Sequence, residues 1–147
     1  MRLAMLLAHV TVGALWWGSM AYSLFVVQPR LARLVGDPAR VEEAQRELAH
    51  GNRWRVVGLL AVLWLSGLGL VLASTDRTGW WWAGVGLKAA LLAAATALFW
   101  WVSWRAWPRR VFALPAELPA LQRRFRAVAL AMFGLVGAAL ATGVLIG

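Results

Sequence analysis

Cysteine is absent from the 147 residues of this chain. That excludes a disulfide-stapled secreted scaffold, a thiolate metal site, an iron–sulfur protein and a cysteine nucleophile. Acidic residues are scarce, with 6 Asp and Glu in the whole sequence. None lies within a long apolar run, so no carboxylate pair stands there for acid–base work. There is no phosphate-binding glycine loop and no dinucleotide fingerprint. Ser19, Ser23 and Ser66 lack a His/Asp arrangement in their own layer, so no hydrolase is indicated. Charge of either sign is thin at 14% of residues, while 62% are hydrophobic. A soluble domain is about half apolar and about a quarter charged. One this small could not cover so much apolar surface with so few charges. The same hydrophobicity argues against a disordered basic tail. A small integral membrane protein remains.

Four apolar runs supply its spans: about 3–27, 56–73, 80–104 and 127–146. Each meets the length a helix needs to cross about 30 Å of hydrocarbon at about 1.5 Å per residue. The short alternating segments of a membrane barrel are missing. The expected fold is therefore all-α, a single polytopic domain of four transmembrane helices. The first run follows Arg2, but it is too long for a signal h-region, and Gly18-Ser19-Met20-Ala21 is a poor cleavage context, so it reads as a retained span.

The 15 basic residues, against 6 acidic, give a net charge of +9. Most fall in two segments, 29–55 and 105–126, which include Arg53, Arg55, Arg109, Arg110, Arg123, Arg124 and Arg126. The link between spans two and three has Arg77 beside Asp76. The positive-inside rule places both basic segments in the cytoplasm and both termini outside, in the inner (plasma) membrane. The surplus is thus a topology signal, compatible with anionic membrane lipids as partners, and no nucleic-acid partner is expected because no soluble domain exists to hold a duplex. Within segment 29–55, Asp37-Pro38 reads as an N-cap and first helical residue. Glu42, Glu43 and Glu47 alternating with Arg40 and Arg46 suggest a short surface helix.

Pro29-Arg30 closes the first run and Pro108-Arg109 the third; Pro119 is placed to open the last helix. Arg53-Trp54-Arg55-Val56-Val57 resembles Arg124-Phe125-Arg126-Ala127-Val128. Counting back equally from the two prolines pairs His9 with Lys88, which suggests a parallel two-plus-two repeat.

His9 and Lys88 are the two ionisable side chains inside the runs, both about two turns from the outer ends. Lys88 either faces the bundle or snorkels to the interface. His9 either hydrogen-bonds a neighbouring helix, through Ser, Thr or a carbonyl, or acts as a ligand. Met5 lies one turn from His9, and thioether with imidazole suits Cu(I). For haem, the other histidine, His50, is on the far side; a lone His9, a His/Met pair, or ligands from two subunits of a homo-oligomer remain. Of the 11 tryptophans, Trp80, Trp81 and Trp82 mark one boundary and Trp54, Trp100, Trp101, Trp104 and Trp107 the other. Trp16, Trp17 and Trp64 are deeper, and Trp16 is two turns from His9, where it either walls a cofactor pocket or packs.

His9, Trp16, Gly18 and Pro29 form H-x6-W-x-G-x10-P, which resembles the first helix of the CopD-like family of copper-resistance membrane proteins. Gly51-Asn52-Arg53-Trp54-Arg55 is similar to that family's entry to its next helix, and Gly86-Leu87-Lys88 to its G-x-K signature. The resemblance implies a non-enzymatic four-helix protein that handles or transports copper. His9 would be a ligand, Lys88 an intramembrane cation, and a periplasmic copper-binding protein a partner. His9, Trp16, Tyr22 and Lys88 also fit the spacing of HemJ-type protoporphyrinogen oxidases, which implies haem b as the alternative cofactor. Against that group, this chain has Phe25-Val26-Val27-Gln28-Pro29-Arg30 where those proteins carry a His-containing segment, and Phe99-Trp100 where they carry two histidines.

Overall fold

The computed structural model describes residues 1–75 and 78–146; Asp76 and Arg77, read from sequence as a link of low charge, lie outside the described residues. All regular structure among the described residues is helical. Helix α1 (Arg2–Tyr22) runs through a π-helical turn (Ser23–Val27) into α2 (Gln28–Val35). Helix α3 (Pro38–Ala49) follows, then α4 (Asn52–Leu72). Helix α5 (Gly79–Trp101) runs through a second π-helical turn (Val102–Ala106) into α6 (Trp107–Val111), and α7 (Leu118–Ile146) ends the chain. Among the described residues, four continuous stretches are long and apolar enough to cross a membrane: Arg2–Val35, Asn52–Leu72, Gly79–Val111 and Leu118–Leu145.

In the first and third stretches the helix extends beyond the apolar run read from sequence. They hold 34 and 33 residues and pass through Pro29 and Pro108 instead of closing there. A proline inside an α-helix lacks an N–H and its ring collides with the carbonyl four residues back. Here that carbonyl belongs to Phe25 or Trp104, and both lie within the π turns. The wider i to i+5 register opens the backbone at that point, so the helix bends past the ring and continues. Both turns begin six residues before their proline.

The second π turn leaves one carbonyl without its regular partner. In π register the Ser103 carbonyl would accept from residue 108, and Pro108 has no N–H. The Arg53 guanidinium of α4 donates to that carbonyl instead. Arg53 also lies 4.7 Å over the Trp104 ring, which stacks on Trp100 at 3.9 Å. One arginine thereby ties the start of α4 to the kink between α5 and α6.

Helix α1 packs on α4, α5 on α7, and α1 on α7. The shared core holds Trp16, Leu60, Leu63, Ala95, Phe99, Met132 and Val136. Many large apolar side chains instead face outward, among them Leu7, Leu65, Leu68, Leu72 and Trp80. In lipid such a surface is solvated, and helices associate through close packing at small residues. A Cβ on Gly137 would lie 2.9 Å from Trp17 Nε1, and one on Gly13 3.1 Å from Leu140. At the end of the bundle rich in arginine, Asp37 caps α3 by accepting from Ala39 N–H at 2.9 Å. Gly36 and Gly51, with φ of 71° and 70°, make the left-handed turns on either side of α3.

Candidate functional site

His9 is buried on α1, with Nδ1 2.8 Å from Ser66 Oγ on α4. Ser66 Oγ is in turn 2.5 Å from the Val62 carbonyl and 3.3 Å from that of Leu63. A hydroxyl has one proton to donate, and here the backbone carbonyls take it. Ser66 therefore accepts from His9, which puts the imidazole proton on Nδ1. In the neutral ring the lone pair is then on Nε2, the arrangement of a ligand histidine oriented through its other nitrogen.

Helix α4 fits this ring by withholding a side chain. A Cβ on Gly67 would come within 3.2 Å of His9 Cε1. Met5, one turn earlier on α1, rests on Gly69, where a Cβ would be 2.6 Å from its Sδ. Ser66 and Gly69 are one turn apart on α4, as His9 and Met5 are on α1, so the antiparallel pair forms a ladder of two rungs. Imidazole and thioether thus share one seam.

Lys88 is half-buried on α5 and turns toward α7, where a Cβ on Gly143 would lie 2.7 Å from its Nζ. It stands within electrostatic reach of the His9 ring. Trp16 is 2% exposed and belongs to the core. Tyr22 is 62% exposed and lies 13 residues beyond His9, roughly 20 Å along the helix axis, so it is not gathered with the others. His50 is exposed in the α3–α4 turn. It precedes Ser66 by 16 residues, roughly 24 Å of helix, too far for both histidines of one chain to reach one iron. Among the described residues, no group of three or more His, Asp or Glu assembles. A metal at this seam would rely on imidazole and thioether.

A second buried polar cluster joins α3 to α6 and α7. Glu42, 2% exposed, accepts from Arg110 Nε at 2.8 Å and Nη2 at 2.7 Å, from Arg46 at 3.1 Å and from Gln122 at 3.0 Å. Burial alone would raise its pKa, but the hydrogen bonds of Arg110, Gln122 and Arg46 and the Arg110 charge bring it down to about 2. Arg110 also donates to Gln45 Oε1 at 2.5 Å. From sequence alone the Glu42 region reads as a short surface helix. The i, i+4 pair with Arg46 was visible there, but Arg110, 68 residues away in sequence, was not. Ser66, which has no His/Asp arrangement of its own in the sequence, is the partner of His9 only through the packing of α1 on α4.

Fold and site together describe an all-helical polypeptide with four helices long and apolar enough to span a membrane and a buried histidine between two of them. Comparison with protein-family models, curated proteins and solved structures gives no match.

Proposed function

We propose that this chain is a multi-pass inner-membrane protein of the CopD-like kind that receives Cu(I) at the His9–Met5 seam. The observation that carries the reading is the bond from His9 Nδ1 to Ser66 Oγ at 2.8 Å, which leaves Nε2 as the ligating nitrogen. Met5 supplies a soft sulfur one turn away. Lys88, within electrostatic reach of the ring, would tune the site toward a weakly held, passing cation. By the positive-inside rule the arginine-rich end would face the cytoplasm and both termini the outside, so the seam would lie in the outer half of the bundle, toward the side from which a periplasmic copper carrier would deliver. The short similarities between the halves, and the π turns at equal distances from Pro29 and Pro108, support a two-plus-two repeat.

Cu(I) titration of the detergent-purified protein against a chelator of known affinity tests this. The wild type is expected to take up Cu(I), and His9→Ala to lose it. Equal uptake by both proteins rejects the proposal. A Soret band in the purified protein would replace it with the haem reading.

A further inference from the structure

A cavity of about 520 Å³ opens at the arginine-rich end between α2, α3, the second π turn and α7. Among the described residues no Asp or Glu lines it, whereas Arg110, Arg123 and Arg126 do. Arg110 is already matched by the buried Glu42. Arg123 and Arg126 are exposed, and among the described residues neither forms an ion pair. Gln45, whose Oε1 is occupied by Arg110, has its amide N–H groups left to donate, and Gln28 lines the opposite wall.

The polarity of this cavity is graded. Gln122, Arg126 and Ala129 follow one another at three- or four-residue steps along one face of α7, with Arg123 beside Gln122 and Met132 further along the helix. The arginines come first, and Ala129 and the buried Met132 lie deeper, roughly 4 and 9 Å further along the axis from Arg126. Val102 adds to the apolar floor. A free phosphate would gain nothing from that floor. A phospholipid matches both parts, its phosphate on the guanidinium groups and the start of its acyl chains on the floor.

We infer that this cavity is a binding site for an anionic phospholipid, with Arg123 and Arg126 holding the headgroup phosphate. The inference rests on the four helices being membrane spans and is independent of the copper reading. Native mass spectrometry of the intact protein, released from detergent with phosphatidylglycerol or phosphatidylcholine added, measures it. The wild type is expected to retain phosphatidylglycerol roughly tenfold better or more, and Arg123→Gln/Arg126→Gln to lose that preference. Arg40→Gln, an exposed charge on α3 outside the cavity, should keep it. Equal retention of the two lipids by the wild type, or an unchanged preference in the double variant, overturns the site. Inorganic phosphate raising the melting temperature as much as phosphatidylglycerol would mean a small-anion site and overturn the lipid. Should the double variant fail to fold, each single variant should show a partial loss, and none in either rejects the site. His9→Ala should leave the lipid preference intact while removing Cu(I) binding, so the two readings fail separately.

Discussion

His9 Nδ1 stands 2.8 Å from Ser66 Oγ across the α1–α4 interface, and with the Ser66 proton given to the Val62 carbonyl this pairing leaves Nε2 as the free ring nitrogen. Ser66→Ala would remove the acceptor while keeping the small volume. Loss of such an orienting partner typically weakens metal binding by about 10–100-fold. Cu(I) affinity should therefore fall by that factor in Ser66→Ala, with helical content unchanged by circular dichroism. Nitrogen NMR of labelled histidine should show the proton on Nδ1 in the wild type and a mixture of tautomers in the variant. An unchanged affinity would mean that the bond is only structural.

Part of this site could be read without coordinates. Charge is so costly in an apolar span that His9 and Lys88 identified themselves, and hydrogen bonding to a serine was one of the two readings of His9. Choosing Ser66 from several hydroxyls required knowing the register of α1 on α4, which depends on Gly67 and Gly69 admitting a ring and a thioether. The four spans were legible because a 30 Å slab imposes a length. Their continuation past Pro29 and Pro108 was not, because a proline after a long run reads as a stop unless a π turn absorbs it. Glu42 was hidden for a different reason. Its local sequence is that of a solvated helix, and only the fold brings Arg110 and Gln122 onto it.

Glu42 makes the arginine-rich end acid-sensitive. Its pKa is about 2 in the folded protein against an ordinary 4.5. A group depressed in this way contributes its full stability above the ordinary value, and the contribution disappears as pH falls toward the folded value. Thermal stability should decline between about pH 4.5 and 2, and Glu42→Gln should flatten that part of the profile. Arg110→Ala, which removes two of the four hydrogen bonds to buried Glu42 and leaves those of Arg46 and Gln122, should cost about 1–3 kcal/mol at neutral pH. Melting temperatures of the three proteins across that range check the sign. A parallel profile for Glu42→Gln would assign the acid loss to other carboxylates.

Two glycines on α7 should respond differently to alanine. At Gly137 the new methyl would meet Trp17 Nε1 at 2.9 Å. That ring is stacked on Phe133 at 5.0 Å and donates to the Phe133 carbonyl at 3.2 Å, so it has little freedom to retreat. Overpacking a rigid contact costs about 1–3 kcal/mol. At Gly143 the methyl would meet Lys88 Nζ at 2.7 Å, the far end of a flexible chain that can swing aside. Gly143→Ala should leave stability within about 1 kcal/mol, the range of a tolerated substitution, while displacing the ammonium from the His9 seam. Chemical denaturation in mixed micelles measures the first effect, and Cu(I) affinity reads the second. A larger stability loss at Gly143 than at Gly137 would contradict the packing described here.

Arg53 and Pro108 should be coupled although no hydrogen bond joins them. Arg53 donates to the Ser103 carbonyl, which lacks a π-register partner because residue 108 is proline. In wild-type background, Arg53→Ala leaves that carbonyl unpaired beside the buried Ser103, a loss of about 1–3 kcal/mol. Pro108→Ala restores an N–H, and the segment can return to ordinary α-helical register with its carbonyls satisfied internally. In that background Arg53→Ala should cost less, retaining only the lost stacking over Trp104, about 0.5–1 kcal/mol for an exposed cation–π pair. A double-mutant cycle on these two positions should therefore show a coupling of about 0.5–2 kcal/mol, the difference between the two costs. Strict additivity would mean that Arg53 acts on Trp104 alone and that the Ser103 carbonyl finds its partner elsewhere. The cycle thus tests whether the π turn, introduced to pass a proline, also recruits the arginine that joins α4 to α5.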